Sequence, residues 1–543
     1  MGSEIYVLCL FIASIFVAVI VTKNHKIICD ATIQKPIKNK KARIFVCGLF
    51  YLPKKILSMK INKLEISLLG IGLLYLILLF HCNINETIEG ISLLGAEQII
   101  AGKIPYKDFS TIYAPGIFYF NAFLLKIFAN SLLVIRIAYL LIAFSISLII
   151  FFLAKNLLSH NLSNNNLPSN HKAFIPFFIS IIWQSFIPMN AGSVPIAILL
   201  ILFATIALFS YYDNLRSNNK LFSKIIPMGI SIGLLAVVRQ DMASYMYGLF
   251  FWAMFWAGIA GVDGLGLSLW KRAVKGFWKG IIFSVIVLLT VTPFALYFIS
   301  KCGVDILYEQ LIFTPLNYYK TYNSLPFPNV FYFFKYFDKS CFTIEYFKNS
   351  WLGLIFFIPL LSAVLTIIVL FIKYRKKLIQ TNTPVFWKEV LIVNLCLNLF
   401  NYAVVRSDAQ HLLPSMLFAG MLLSNVFSIL NNKIQQFCLS FVILLLIAFP
   451  IYSKFELMNK VFVTSNYAML PTAKGKNIYV EMDFIKYLDE RKNLLVELNF
   501  TKPIFESSDK SKTIINDDFL FYYLFDTSKT KSSEYYFELY PQP

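Results

Sequence analysis

Charged side chains are scarce in this chain of 543 residues, at 14% of positions, where a soluble domain carries about a quarter. Acids are the scarcer sign: 29 Asp and Glu stand against 49 Lys and Arg, for a net charge of +20. With 58% hydrophobic residues, this composition excludes an ordinary soluble globular protein. The eight cysteines, at 9, 29, 47, 82, 302, 341, 396 and 438, show no CxxC or Cys/His spacing, so their pattern gives no metal site. Cys302 and Cys341 share one loop; they either pair in an oxidising compartment or stand as unrelated thiols. No Rossmann-like Gly motif is visible, and there is no internal repeat.

What is abundant is apolar sequence, in many runs that reach the roughly 17–25 residues a helix needs to cross a bilayer. The first run, 5–21, has Glu4 and no Lys or Arg ahead of it and a basic segment directly behind it. It reads as an uncleaved span rather than a signal peptide. Lys35, Lys38, Lys40, Lys41, Arg43, Lys54, Lys55 and Lys60 come next, a density that marks the cytoplasmic side. Within that loop, 44–57 suits a helix lying on the membrane. Alternation then places runs 64–82, 131–153, 173–189, 195–212, 225–238, 242–261, 280–300, 351–372, 390–405, 412–430 and 437–452 across the bilayer. The clusters Lys271/Arg272/Lys275/Lys279 and Lys373/Arg375/Lys376/Lys377 fall inside without adjustment. Orientation therefore accounts for the basic excess, and nucleic acid is not an expected partner.

The expected fold is an all-α polytopic membrane protein of about twelve transmembrane helices with both termini outside. Residues 1–63 form an N-terminal span and basic cytoplasmic loop, and 64–452 the transmembrane domain. The latter carries a structured first outer loop, 83–130, and a long outer loop, 301–350. Residues 453–543 form a small C-terminal outer α/β domain or tail, because aromatics such as Phe519, Phe521, Tyr522 and Tyr523 are too dense for disorder.

In this topology the ionisable groups that interrupt apolar sequence gather on the outer side. Glu86, Glu89, Lys107 and Asp108 sit in the first outer loop; Arg239-Gln240-Asp241 and Arg406-Ser407-Asp408-Ala409-Gln410-His411 sit at outer ends of spans. A charge inside a span costs roughly 2.5–3.5 kcal/mol on insertion scales, so such groups persist when paired, wet or functional. Glu89 can take a proton from a hydroxyl or hold a divalent cation; the bland alternative is an acid favoured by a helix N-terminus. Arg239 and Arg406 suit a phosphate, which their forked guanidinium binds in bidentate fashion; the bland alternative is a local ion pair with Asp241 or Asp408. His411 is a donor to phosphate or a satisfied interface histidine. Lys107 reads most simply as a snorkelling lysine.

These segments resemble the GT-C superfamily of polytopic membrane glycosyltransferases, in particular the bacterial relatives of protein O-mannosyltransferases and aminoarabinose transferase. The resemblance rests on Glu89-Gly90, Ala96, Gly102, Pro105-Tyr106-Lys107-Asp108, Pro115-Gly116 and Arg136. Arg239-Gln240-Asp241, the Arg406–His411 segment, Leu325-Pro326-Phe327-Pro328 and the Tyr-rich end add to it. There is one departure: the family pair is Asp-Glu, and Ile88 precedes Glu89. The resemblance implies transfer of a sugar from a polyprenyl-phosphate donor to a glycan, lipid or protein acceptor, with inversion. Glu89 would be the base, with Glu86 as substitute. Arg239, Arg406, His411 and Lys107 would hold the donor phosphate, and Tyr106, Asp108, Gln240, Asp241 and Asp408 would contact substrate. No cofactor is certain; a divalent cation is the one candidate. The expected place is the bacterial inner (plasma) membrane, among membrane lipids, with the site on the outer face. The competing readings are a lipid-linked glycan flippase or transporter, which would place its charges near mid-membrane, and an O-antigen-type polymerase, which would not need the acidic first loop.

Overall fold

The computed structural model describes residues 62–159, 169–187, 191–214, 222–259, 268–319, 325, 327–328, 344–375, 383–429, 433–497 and 524. The expected first span, the basic loop and the amphipathic 44–57 segment lie outside these residues. The chain divides into two units, 1–66 and 67–543. The described helices and strands belong to the second unit, apart from the first helix, which starts just ahead of it.

In chain order the described helices begin with α1 (Lys63–Ile77), α2 (Glu86–Ile100), α3 (Gly116–Ile127), α4 (Leu132–Ser159) and α5 (Phe174–Phe186). Next come α6 (Ser193–Asp213), α7 (Phe222–Val238), α8 (Gln240–Ile259), α9 (Leu269–Cys302) and the short α10 (Val304–Tyr308). α11 (Ile344–Ile355), α12 (Ile358–Arg375), α13 (Pro384–Val405), α14 (Ala409–Ile429) and α15 (Lys433–Phe462) follow. A two-stranded antiparallel ribbon, β1 (Tyr467–Met469) and β2 (Tyr479–Glu481), and α16 (Met482–Glu497) complete the described elements. Among the described residues eight helices are long and apolar enough to cross a membrane. The protein is therefore a helical, polytopic membrane protein.

The spans hold together as helices in lipid must, by close approach and by interhelical polar bonds. Gly258 of α8 meets Gly276 of α9, where an added Cβ would lie 2.8 Å from the partner's Cα. Ser147 of α4 and Ser180 of α5 share a 2.7 Å hydrogen bond, and Gln184 donates 2.9 Å bonds to both hydroxyls. At the C-terminal end of α4, the buried Lys388 of α13 donates to Asn156 at 2.7 Å and to Asp213 at 2.8 Å.

The first loop is built as the sequence suggests, as two helices joined by a turn. Asn85 caps α2: its side chain accepts from Ile88 N at 3.0 Å, and the Glu89 carboxylate accepts from Asn85 N at 2.9 Å. The helix ends at Gly102, whose φ of +87° favours glycine. Its Gly102 N–Ile99 O and Lys103 N–Gln98 O bonds form a Schellman stop. Leu93, Ala96, Ile117, Phe118, Leu125, Leu132 and Tyr139 then form one buried core. A fully buried Leu or Phe contributes roughly 1.5–3 kcal/mol.

The last described segment joins that same core. α15 runs on to Phe462, past the expected boundary at 452/453. Leu470, Ile478, Val480 and Leu488 pack against the first-loop residues. Lys474 pairs with Glu97 of α2, its carbonyl accepts from Leu132 N, and Tyr479 exchanges backbone bonds with His81 and Asn83. The first loop and residues 467–488 are one folded body.

α3 begins against the end of α7. A Cβ on Gly116 would lie 2.7 Å from the Val237 carbonyl oxygen, closer than carbon and oxygen tolerate, so only glycine lets the two helices meet here. Gly116→Ala is expected to cost roughly 1–3 kcal/mol, seen as a lower unfolding midpoint in detergent; an unchanged midpoint would contradict this contact.

Candidate functional site

Arg239-Gln240-Asp241 and the Arg406–His411 segment are far apart in the sequence, and the fold brings them into one cluster. Arg239 is the single residue between α7 and α8. Its guanidinium lies 3.1 Å from Asp241 Oδ1, donates to Ser193 Oγ at 3.0 Å, and sits 4.8 Å from the centre of the Tyr402 ring. On that tyrosine also lies the His411 ring, tilted by 33° with centroids 4.6 Å apart. A cation over an aromatic face contributes about 0.5–2 kcal/mol, more as water is excluded. Arginine, tyrosine and histidine thus meet from three helical segments.

Asp408 organises the second half of the cluster. It is the N-cap of α14: its Oδ1 accepts from His411 N at 2.8 Å. The same oxygen lies 2.7 Å from His411 Nδ1, while Oδ2 accepts from Arg406 Nε at 2.9 Å. A carboxylate beside Nδ1 favours the tautomer with its proton there, which leaves the lone pair on Nε2. Burial alone would raise the Asp408 carboxyl, but bonds from His411 and Arg406 outweigh it and hold the group below its usual range. The cluster stays open on one side: Asp241 is 46% exposed, Arg406 35% and Asp408 28%.

Gln240 anchors this cluster to the first loop, donating to the Ile112 carbonyl at 3.1 Å. Tyr106, expected to touch substrate, is buried against Phe298 of α9 with ring centroids 5.5 Å apart. Its φ is +69°, uncommon for a residue with a side chain. A Tyr106 Oη bond to Tyr113 O at 2.8 Å and a Gln310 Nε2 bond to Tyr106 O at 3.3 Å hold it there. Asp108 closes its own turn by accepting from Ile104 N at 2.7 Å. Lys107 is exposed on that turn. Cys302 is a free thiol packed beside Tyr106; Cys341 lies outside the described residues.

Glu89, expected as the base, is enclosed with Arg136. It is fully buried, with Oε2 2.6 Å from Arg136 Nη2 and Oε1 2.6 Å from Arg136 Nε. Arg136, itself buried, also donates to the carbonyls of Asn83 at 2.7 Å and Phe80 at 3.3 Å. Burial raises the Glu89 carboxyl, and the guanidinium opposes that rise. Glu86, one turn earlier, is half-buried on the first turn of α2. Among the described residues no three His, Cys, Asp or Glu side chains come together in a way that could hold a metal ion.

Sequence reasoning missed Tyr402, Ser193, Gln310 and the pairing of Arg136. Tyr402 stands one helical turn before Arg406, and that spacing was its only signal. Arg136 opens an apolar run, where a charge must find a partner.

No protein-family model matches the chain, and no curated protein matches it. Its fold is similar to solved structures of the oligosaccharyltransferase of Archaeoglobus fulgidus. One, tethered to an acceptor peptide containing the NVT sequon, is 12% identical with a TM-score of 0.42, over 72% of this chain and 54% of that one. A second, in complex with Zn and sulfate, is 12% identical with a TM-score of 0.42, over 82% and 58%. A third, in complex with an inhibitory peptide and a dolichol-phosphate, is 13% identical with a TM-score of 0.41, over 73% and 56%. The chain spans a little over half the length of these structures.

The buried and half-buried charges can be tested separately. Arg136→Met leaves a buried carboxylate unpaired and is expected to cost about 3–5 kcal/mol, while Glu89→Gln/Arg136→Met recovers much of it; unfolding midpoints of the three proteins in detergent decide. The Asp408 links contribute stability above the unfolded carboxyl pKa, near 3.8, and lose it as pH falls through the lower folded value. Asp408→Asn should therefore flatten that acid loss, and an unchanged acid profile would contradict the link.

Proposed function

We propose that this protein is a membrane glycosyltransferase that moves a sugar from a polyprenyl-phosphate donor to a glycan, lipid or protein acceptor. The reading includes twelve spans, a site on the extracytoplasmic face of the bacterial inner membrane, and inversion at the anomeric carbon. The observation that carries it is the Arg239–Tyr402–His411 stack: two cationic segments converge at helix ends, beside a folded first loop, in a cluster that stays partly open.

The chemistry is dictated by the leaving group. A lipid phosphate is a weak base, so its departure needs charge stabilisation more than a proton. Arg239 and Arg406 supply forked donors for it. Asp241 is open to solvent at its end of the Arg239 pair, so a phosphate can compete there for the guanidinium. The acceptor hydroxyl needs a base within hydrogen-bond reach. Glu89 is enclosed with Arg136, so its part is to fix the loop. We assign the proton to His411 Nε2, with Asp408 holding Nδ1, an arrangement that orients an imidazole for such a transfer. Tyr402 positions His411 against Arg239.

The test is incubation of purified protein with a panel of polyprenyl-phosphate sugars and mass analysis of the products. Arg239→Met and His411→Gln are each expected to lower turnover by roughly a hundredfold or more. Loss in Glu86→Gln with full activity in His411→Gln would return the base to the first loop. Movement of lipid-linked sugar across vesicles with no new glycosidic bond would replace the transferase by a flippase.

A further inference from the structure

A second cationic site lies where α1, α4, α5 and α15 meet. It is a cavity of about 80 Å³ lined by residues that include Asn83, Arg136, Ser185, Ser453 and Lys454. It shares no lining residue with the Arg239 cluster. On the scale by which one water needs at least about 10–15 Å³, it holds several waters or one tetrahedral oxyanion.

The charge count is the informative part. Lys454 is only 7% exposed. Its ammonium donates to Ser185 Oγ at 2.8 Å and to the Leu78 carbonyl, and lies 5.6 Å from the centre of the Tyr75 ring. Each of these partners is neutral, and among the described residues no carboxylate pairs with it. Arg136 adds a second buried cation on the cavity wall, but Glu89 already takes that charge. Two cations thus face one carboxylate. The pocket therefore carries one uncompensated positive charge, and a buried charge without a counter-charge is costly.

We infer that this cavity binds a phosphate-type oxyanion, with Lys454 as its counter-ion and the hydroxyls of Ser185 and Ser453 as further donors. The group is either a free phosphate or the phosphate of an anionic lipid. The neighbouring faces of α1 and α15 expose Ile71, Leu74 and Phe455, which would lie against acyl chains if the source is a lipid. The site is independent of the transferase reading.

The test uses the full-length protein in two arms. In detergent, inorganic phosphate is titrated and the unfolding midpoint is read. In nanodiscs of phosphatidylglycerol or of phosphatidylcholine, lipid retained after release is read by native mass spectrometry. A midpoint rise with phosphate identifies the free anion, and selective retention of phosphatidylglycerol identifies the headgroup. Either response should weaken by roughly tenfold or more in Lys454→Gln, which removes a charge-assisted bond, and persist in Lys454→Arg. If Lys454→Gln does not elute as a single species, Leu457→Trp, at another residue of the cavity wall, fills the cavity, keeps the lysine and must abolish the response. No response in either arm, or a response of wild-type strength in Lys454→Gln or Leu457→Trp, overturns the inference. Neither arm measures sugar transfer, so failure of the transferase reading leaves the result standing.

Discussion

The Arg136–Glu89 ion pair fixes the frame in which the other elements are placed. Both partners are buried, and the pair is close, with Glu89 Oε2 also accepting from Asn85 N and the two Arg136 Nη atoms also donating to the Phe80 and Asn83 carbonyls. Arg136 grips the Phe80–Asn83 bend and Glu89 grips the Asn85 cap, so a single contact sets how α2 leaves α1 and where it lies on α4. The carboxylate that closes the cap is the same one that pairs across to the span. Losing either partner would leave a charge in a place that cannot hydrate it.

From that fixed point the first loop reaches the second cluster by short, hard contacts. Gly116 lets α3 touch Val237, one residue before the Val238 that ends α7. Gln240 then holds Ile112 from the far side of Arg239. The Pro105–Phe109 turn, with its positive φ at Tyr106, is clamped from α9 and Gln310. Backbone strain of that kind persists only where surrounding structure over-determines it. The outcome is a rigid platform whose edge carries Arg239, and a neighbouring helix end that carries Tyr402, Arg406 and His411.

Much of this was legible in the sequence, for identifiable reasons. Apolar run length marks a helix whatever its neighbours, so the expected runs from residue 131 onward fall largely within helices. But α9 begins at Leu269 and takes in Lys271, Arg272, Lys275 and Lys279, expected in an inner loop, and α10 and the start of α11 lie in the expected outer loop 301–350. Gly102 and the Pro105–Asp108 turn announce the stop of α2 because only particular backbone angles can come after a helix end. The convergence of Arg239 with His411 could be guessed from the outer side expected of both, but not the Tyr402 ring between them. The pairing of Glu89 shows the limit of local sequence. A carboxylate after a span looks the same in sequence whether it faces solvent or a partner 47 residues later, and only packing separates the two cases. The same limit hides Lys454: it falls just past an apolar run, where a lysine ordinarily snorkels to water, and here it turns into a cavity. Residues 467–488, read as part of a C-terminal outer domain or tail, are joined to the first loop by contacts that span most of the chain, which no local pattern reports.

A lipid phosphate held against the Arg239–Tyr402–His411 stack is within reach of a label carried beside it. A polyprenyl phosphate with a diazirine next to the phosphate, photo-crosslinked to the purified protein and mapped by peptide mass, therefore reads its position. Label is expected on peptides that contain residues 239–241 and 402–411. Label confined to peptides around residues 76–83 and 453–457, or on none of these segments, would contradict the assignment.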